Sequence, residues 1–124
     1  MKVLLSIKPE HVNKIFAGTK KYEFRKSLFR KRDVKSVIIY ASSPIKRIVG
    51  EFEIDYIISD DVNIVWKKTK KHSGITETFY NSYFYKRTIA NAIRIGNLIK
   101  YETPKSLSDF NIRQAPQSFC YVKE

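Results

Sequence analysis

The sequence predicts a small α+β domain, a mostly antiparallel β-barrel flanked by a few short helices. Three observations carry that prediction. The chain has 124 residues, the size of one domain, and can bury roughly two thirds of its unfolded surface without help from disulfides or a metal. Segments with strand patterning dominate and are uneven in length. Helical patterning is confined to one early segment and one pair in the middle, which supplies few crossovers. No repeat, low-complexity segment or linker interrupts the chain, so residues 1–124 read as a single domain.

Residues 2–7 form the first expected strand. Pro9 opens a short helix, PEHVNKIFAG, with proline in its first turn and Gly18 just past its end. Val12, Ile15 and Phe16 give it one apolar face. A strand follows at 20–26, where Tyr22 and Phe24 point one way and Lys21, Glu23 and Arg25 the other. SVIIYAS is apolar on both faces, as a central strand is, and Ser43 and Pro44 stop it. RIVGEFEIDYII alternates, with Ile48, Phe52, Ile54 and Tyr56 expected on one face and Glu51, Glu53 and Asp55 on the other. SDDVNIVWKKTKK reads as a helix capped by Ser59 or Asp60, with acids first and lysines last. Ser73 and Gly74 break it. TETFYNSYFYKR reads as a second helix with Phe79, Tyr80, Tyr83 and Phe84 on one side. TIANAIRIGNLIKYE is strand, with Gly96-Asn97 as a bulge or a tight turn. SLSDF is a helical turn, and QSFCYV is the last strand, in which Cys120 is expected to be a small buried hydrophobe.

Lysine and arginine number 24 against 12 acids, a net charge of +12. Such a charge on a small domain points to polyanions, nucleic acid or acidic lipid, although a charge run alone also describes a merely basic protein. The cations cluster. Lys20, Lys21, Arg25, Lys26, Arg30, Lys31, Arg32 and Lys35 face only Glu23 and Asp33, and a second group runs from Lys67 to His72. Tyr22, Phe24 and Phe29 interleave with the first group, a mixture suited to phosphate contact and base stacking; Tyr22 and Phe24 are expected in the core. The expected partner is RNA or another nucleic acid or nucleotide. The apolar run Val3 to Ile7 is shorter than a secretory core or a membrane span, and a single cysteine supplies no disulfide framework. A cytoplasmic protein without membrane contact is expected. His11 and His72 lack ligand spacing to another histidine or cysteine, so neither metal nor cofactor is expected. Glu51, Glu53 and Asp55 read better as a solvated strand face, or as partners of neighbouring lysines, than as a catalytic or metal-binding set.

The stretch GTKKYEFR, residues 18–25, concentrates candidate chemistry. Glu23 and Arg25 lie two apart on one strand face, roughly 7 Å between Cα atoms. Exposed, such a pair contributes about 0 to 1 kcal/mol. In a cleft, Arg25 can grip a phosphate with its fork while Glu23 accepts from a base amino group. Lys20 has the wrong strand parity to join them unless it belongs to the turn after Gly18. There its ammonium can hold a phosphate or stabilise an oxyanion. Gly18 most simply lets the chain turn at the helix end, and it also allows close approach of a ligand. Lys8 stands beside a helix N-terminus, which attracts anions. Ser42 and Ser43 end the central strand, where they either donate to a ligand or shape a turn.

Gly18, Lys20, Glu23 and Arg25 match the G-x-K-x-x-E-x-R signature of the ASCH domain, and the chain resembles that family of the PUA-like superfamily. YASSPIKRIVGEFEI, FYNSYFYKRTIANAIRI and APQSFCYV resemble its branch of predicted regulators, so the resemblance covers nearly the whole chain. It implies a PUA-like barrel with a cleft lined by the signature, binding of RNA or modified bases, and a regulatory role. Tyr83 and Gln117 join the site candidates through the runs around them. Some members of the family are ribonucleases, and others are amidohydrolases acting on N4-acetylcytidine. The amidohydrolase type has a catalytic lysine at the position of Lys20 and a threonine at that of Glu23; glutamate cannot replace that hydroxyl nucleophile. Two functions follow: a nucleic-acid-binding module, or a metal-independent ribonuclease or other nucleoside-processing hydrolase in the same cleft, with Lys20, Glu23 and Arg25 as catalytic candidates. The helical pair around HSGIT superficially resembles a helix-turn-helix, but its second helix is aromatic and almost without base-reading side chains before Lys86 and Arg87.

Overall fold

The computed structural model describes residues 1–123. Six strands form one sheet in the order β2-β5-β4-β3-β1-β6. They are β1 (Lys2–Ile7), β2 (Tyr22–Arg25), β3 (Ser36–Ala41), β4 (Arg47–Asp61), β5 (Ile89–Lys105) and β6 (Phe119–Val122). The helices are α1 (Pro9–Ala17), α2 (Val62–Thr69) and α3 (Glu77–Tyr83), with 3-10 turns at Lys70–His72 and Leu107–Phe110. Most pairings are antiparallel, as expected. β1 and β3 instead lie parallel, with Leu5 opposite Ile39, a pairing that requires a crossover. The segment carrying α1 and β2 supplies it.

The expected barrel does not close. β2 and β6 are the two edges and form no ladder with each other. Each has only four residues and pairs on one side alone. The sheet curls all the same, because side chains span the gap. From the end of β2, the Arg25 guanidinium donates to the Ser6 carbonyl at 3.3 Å and to the Ser118 carbonyl at 3.1 Å. The basic loop 26–35 covers the same gap. Phe29 meets Phe119 edge-on at 6.1 Å, and the Tyr121 hydroxyl accepts from the Arg30 and Lys31 amides.

Inside the curl, Val3, Leu5, Val37, Ile39, Phe52 and Ile93 pack against Val12 and Ile15 of α1. On the outer face Leu4, Ile38, Tyr40 and Ile48 lie under Leu107, Phe110 and Ile112. Burial on both faces explains why β1 and β3 read as continuous apolar runs. A third cluster joins Tyr22, Phe24, Ala90 and Ala92 to Val65 of α2 and to Tyr80 and Phe84 around α3. Tyr22 and Phe24 are therefore core, as expected.

The long strands β4 and β5 carry bulges, and each bulge reverses which face a residue presents. The register shifts between Ile48 and Gly50, Phe52 and Ile54, and Ile54 and Tyr56. The common face expected for Ile48, Phe52, Ile54 and Tyr56 is consequently broken. Ile48 packs with Leu4, Phe52 packs with Val3, and Tyr56 is 45% exposed. Gly96-Asn97 is the bulge alternative: Ile95 and Leu98 oppose Ile54 and Phe52 on either side of it. β4 also runs further than its pattern suggests. Ser59, Asp60 and Asp61 stay in register with Asn91, Ala90 and Ile89, so the cap of α2 shifts to Asp61, whose carboxylate accepts from the Asn63 amide at 2.9 Å. Cys120 is half-buried rather than buried. Among the described residues no helix is long and apolar enough to cross a membrane.

Candidate functional site

The end of α1 builds the centre of the site. Gly18 terminates the helix in the left-handed region at φ 83°, which glycine adopts without strain. The amides of Gly18, Thr19 and Lys20 turn back onto the Ile15 and Lys14 carbonyls. Lys20 thus belongs to the turn, before β2 begins at Tyr22, and strand parity does not bind it. Its side chain folds inward and is 3% exposed. The ammonium donates to the Ser73 carbonyl at 3.0 Å and lies 4.8 Å from the centre of the Phe24 ring.

The segment Ser73-Gly74 forms the wall over this lysine. Gly74 has φ 70°, and a Cβ there would stand 2.5 Å from Lys20 Cβ; only glycine allows so close an approach. Lys14 donates to the Gly74 carbonyl at 2.9 Å, and the Lys21 amide donates to the His72 carbonyl at 2.8 Å. HSGIT is therefore the wall of a pocket. The aromatic face of α3 turns into the core through Tyr80, and this helix presents no recognition surface of the helix-turn-helix kind.

Glu23 points to the inner face of β2 and pairs with Arg25 at 3.1 Å. The two side chains are 7% and 11% exposed, so the surface-pair value does not apply to them. Arg25 is further fixed by the Ser6 and Ser118 carbonyls and by Ser118 Oγ at 3.0 Å.

Lys20, Glu23, Phe24 and Tyr83 line a pocket of about 40 Å³ together with His11 and Phe79. The Tyr83 hydroxyl donates to the Phe24 carbonyl at 3.3 Å, and burial raises its pKa. The His11 ring meets the Phe79 ring edge-on at 5.3 Å. Its Nδ1 is buried and has no hydrogen-bond partner among the described residues. Burial, assisted by the nearby Lys20 charge, lowers the His11 pKa and keeps the ring neutral. Burial likewise lowers the Lys20 pKa to about 8, with Lys14 adding to the shift and Glu23 opposing it. A buried ammonium, a neutral imidazole and a carboxylate held by a guanidinium thus surround one small space. They can bind an anion, read a base edge or move a proton.

The other candidates fall outside this lining. Gly18 acts on the chain direction. Lys8 is the exposed residue at the start of α1, with no side-chain cap bond. The Ser42 amide donates to the Ile7 carbonyl at 3.0 Å, which sets Ser42 and exposed Ser43 beside Lys8 at the C-terminal end of the parallel pair. Gln117 is exposed between Pro116, whose carbonyl accepts from Ser6 Oγ at 2.7 Å, and Ser118. These residues rim the sheet end that Arg25 bridges. Sequence reasoning missed His11, Phe79, Ser118 and the Ser73-Gly74 wall. His11 carried one signal, its place one turn into the helix that precedes the signature; the wall comes from 53 residues away and carried none. The acidic face dissolves into structural contacts: Glu51 binds Lys2 and Tyr101, and Glu53 accepts from Asn97. No group of three or more His, Cys, Asp or Glu converges among the described residues.

The sequence model of the ASCH domain matches residues 5–99. A large ribosomal subunit protein (uL22) of Ureaplasma parvum serovar 3 is 28% identical over 121 residues, covering 98% of this chain and 39% of that protein. The ATP synthase subunit alpha of the same organism is 32% identical over 122 residues, covering 98% of this chain and 15% of that protein. The chain thus spans well under half the length of either relative. An ASCH domain-containing ribonuclease of Zymomonas mobilis is 29% identical over 124 residues, covering 98% of this chain and 84% of that protein. The crystal structure of ASCH from Zymomonas mobilis superposes with a TM-score of 0.88 at 26% identity, covering 99% of this chain and 88% of that one.

Proposed function

This chain belongs to the ASCH domain family, and from that premise we propose that it binds RNA or a modified nucleotide over the pocket around Lys20, whose space of about 40 Å³ takes one polar group of the ligand. One observation carries the reading. Lys20 is almost wholly buried and forms no ion pair among the described residues. Glu23 is committed to Arg25 and compensates the cation only in part; such burial is costly, and an anion in the pocket offsets that cost. A phosphate is the anion that the basic surface selects, because +12 is spread over the domain and steers polyanions to it. His11 and Glu23 then offer an acceptor each to the amino or imino groups of a base. A regulatory role follows if binding ends there.

The second reading is metal-independent cleavage of RNA, favoured by the similarity to a named ribonuclease and by the neutral His11 beside Lys20. In it His11 takes the proton of a ribose 2′-hydroxyl, and the 2′-oxygen attacks the adjacent phosphorus. The 5′-oxygen leaves with a proton from Lys20, whose lowered pKa suits it as the acid. The product is a 2′,3′-cyclic phosphate. The test is incubation of end-labelled single-stranded RNA with the protein and with Lys20→Met, with and without EDTA. A mobility shift without cleavage supports the binding module. Cleavage that survives EDTA and ends in cyclic phosphate supports the enzyme. Absence of both at low salt, or a Lys20→Met protein that behaves as the unaltered one, overturns both.

A further inference from the structure

A second concavity lies away from the Lys20 pocket. It is a groove of about 600 Å³ between the turn joining β3 to β4 and the 3-10 turn at Leu107–Phe110. We propose that this groove is a second phosphate-binding site, which holds the sugar-phosphate backbone of the RNA strand that engages the Lys20 pocket; the inference rests on that reading.

Three cations converge on the groove, Lys46, Arg47 and Arg113. All three are exposed, and none has a carboxylate within ion-pair distance among the described residues. The hydroxyls of Ser106 and Ser108, 2.8 Å apart, add neutral donors. Among the described residues no acidic side chain lines the space. Asp109 on the same turn is directed to the backbone instead, its carboxylate accepting from the Ser106 amide at 3.0 Å. Leu107 and Ile112 provide an apolar floor on which a ribose or a base can rest. Cations around an apolar floor are what a single-stranded nucleic acid requires.

Lys46 adds a second, independent observation. It has φ 54°, a backbone region that asparagine or glycine occupies with far less strain. Its side chain makes no hydrogen bond or ion pair among the described residues that would explain a lysine there. Outliers of this kind cluster at ligand-contacting positions.

Two backbone connections lead from the groove toward the sheet end that Arg25 bridges. The Lys46 turn closes onto the Ser42 carbonyl, and Ser42 holds the Ile7 carbonyl just before Lys8. On the other side Arg113 is five residues from Ser118, which binds the Arg25 guanidinium. That length of chain reaches at most roughly 17 Å, a span of a few nucleotides.

The test uses the full chain carrying Lys46→Asn, Arg47→Gln and Arg113→Gln together, probed with a 12-nucleotide single-stranded RNA and with cytidine monophosphate. The substitutions are on the surface, and Lys46→Asn relieves backbone strain, so the melting temperature is expected to hold. Affinity for the 12-mer is expected to fall at least tenfold, and its salt slope to flatten by about 2, three contacts at about 0.7 each. Binding of the mononucleotide is expected to stay unchanged. Unaltered 12-mer affinity and slope overturn the groove. Lys20→Met separates the two readings, since it should weaken both probes. If it weakens neither while the triple variant still loses the 12-mer, the pocket reading fails and the groove stands.

Discussion

Lys20 sets the character of the site through its energetics. Its amine titrates at the ordinary lysine value of 10.5 in the unfolded chain and at about 8 when folded. Between those values the unfolded chain holds a proton that the folded chain has lost. Stability therefore rises with pH across that window, and the penalty of a buried charge is fully in force below pH 8. The shift corresponds to something on the order of 3 kcal/mol. Lys20→Met keeps the volume and removes the charge. Urea melts at pH 7 and pH 10 should show the native protein gaining stability relative to the variant as pH rises. At pH 7 the variant should melt no lower than the native protein, while binding RNA at least tenfold more weakly. A variant that melts lower at pH 7 would mean that Lys20 is retained for the fold. Glu23 makes a chemical prediction. Without a hydroxyl at its position, the purified protein should release no acetate from N4-acetylcytidine, and steady turnover in a coupled acetate assay would overturn that.

At the scale of elements, β2 does the most with the fewest residues. Its four positions present Tyr22 and Phe24 to one core and Glu23 and Arg25 to the pocket and the sheet gap. Phe24 is 6% exposed and meets Tyr80 edge-on at 5.4 Å. Phe24→Ala should cost about 3 to 5 kcal/mol in chemical denaturation. Arg25→Ala removes the partner of a nearly buried carboxylate and takes a donor from the Ser6 and Ser118 carbonyls. It too should destabilise, by roughly 3 to 5 kcal/mol, far beyond the 0 to 1 kcal/mol of an exposed pair. Arg25→Lys should recover only part of this, because an ammonium lacks the planar fork that reaches all four acceptor atoms. A change of less than 1 kcal/mol in Arg25→Ala would show that loop 26–35 alone keeps the sheet curled.

Across the whole molecule, charge and curvature act together. The curled sheet places its two short edges near each other, and the basic loop 26–35 closes over them with its cations outward. Lys31 lies over the Tyr121 ring at 4.7 Å and Lys26 over the Tyr83 ring at 4.8 Å, so part of the positive surface is fixed on aromatic faces. RNA affinity should therefore fall steeply with salt, with a log-log slope of about −0.7 per phosphate contact on a single strand. Fluorescence anisotropy at a series of salt concentrations measures it, and a flat response would remove phosphate contact from the account.

The local signals were legible in the sequence because local chemistry produces them. Pro9 and Gly18 bound α1, the apolar runs of β1 and β3 announce burial on both faces, and Ser106 with Asp109 closes its own turn. The signature at Gly18, Lys20, Glu23 and Arg25 was legible for the same reason, since a helix end followed by a strand is specified within eight residues. Tertiary structure alone decided three things. Bulges in β4 and β5 moved Ile48 and Tyr56 off the face that alternation predicts, because strand twist and partner register outweigh local periodicity. The two edge strands do not pair, which left the expected barrel open, with Arg25 and loop 26–35 in place of a ladder. The pocket itself came from distance: Ser73 and Gly74 cover Lys20, and His11 faces it from the preceding helix. These contacts depend on how the sheet curls, and no window along the chain contains that information.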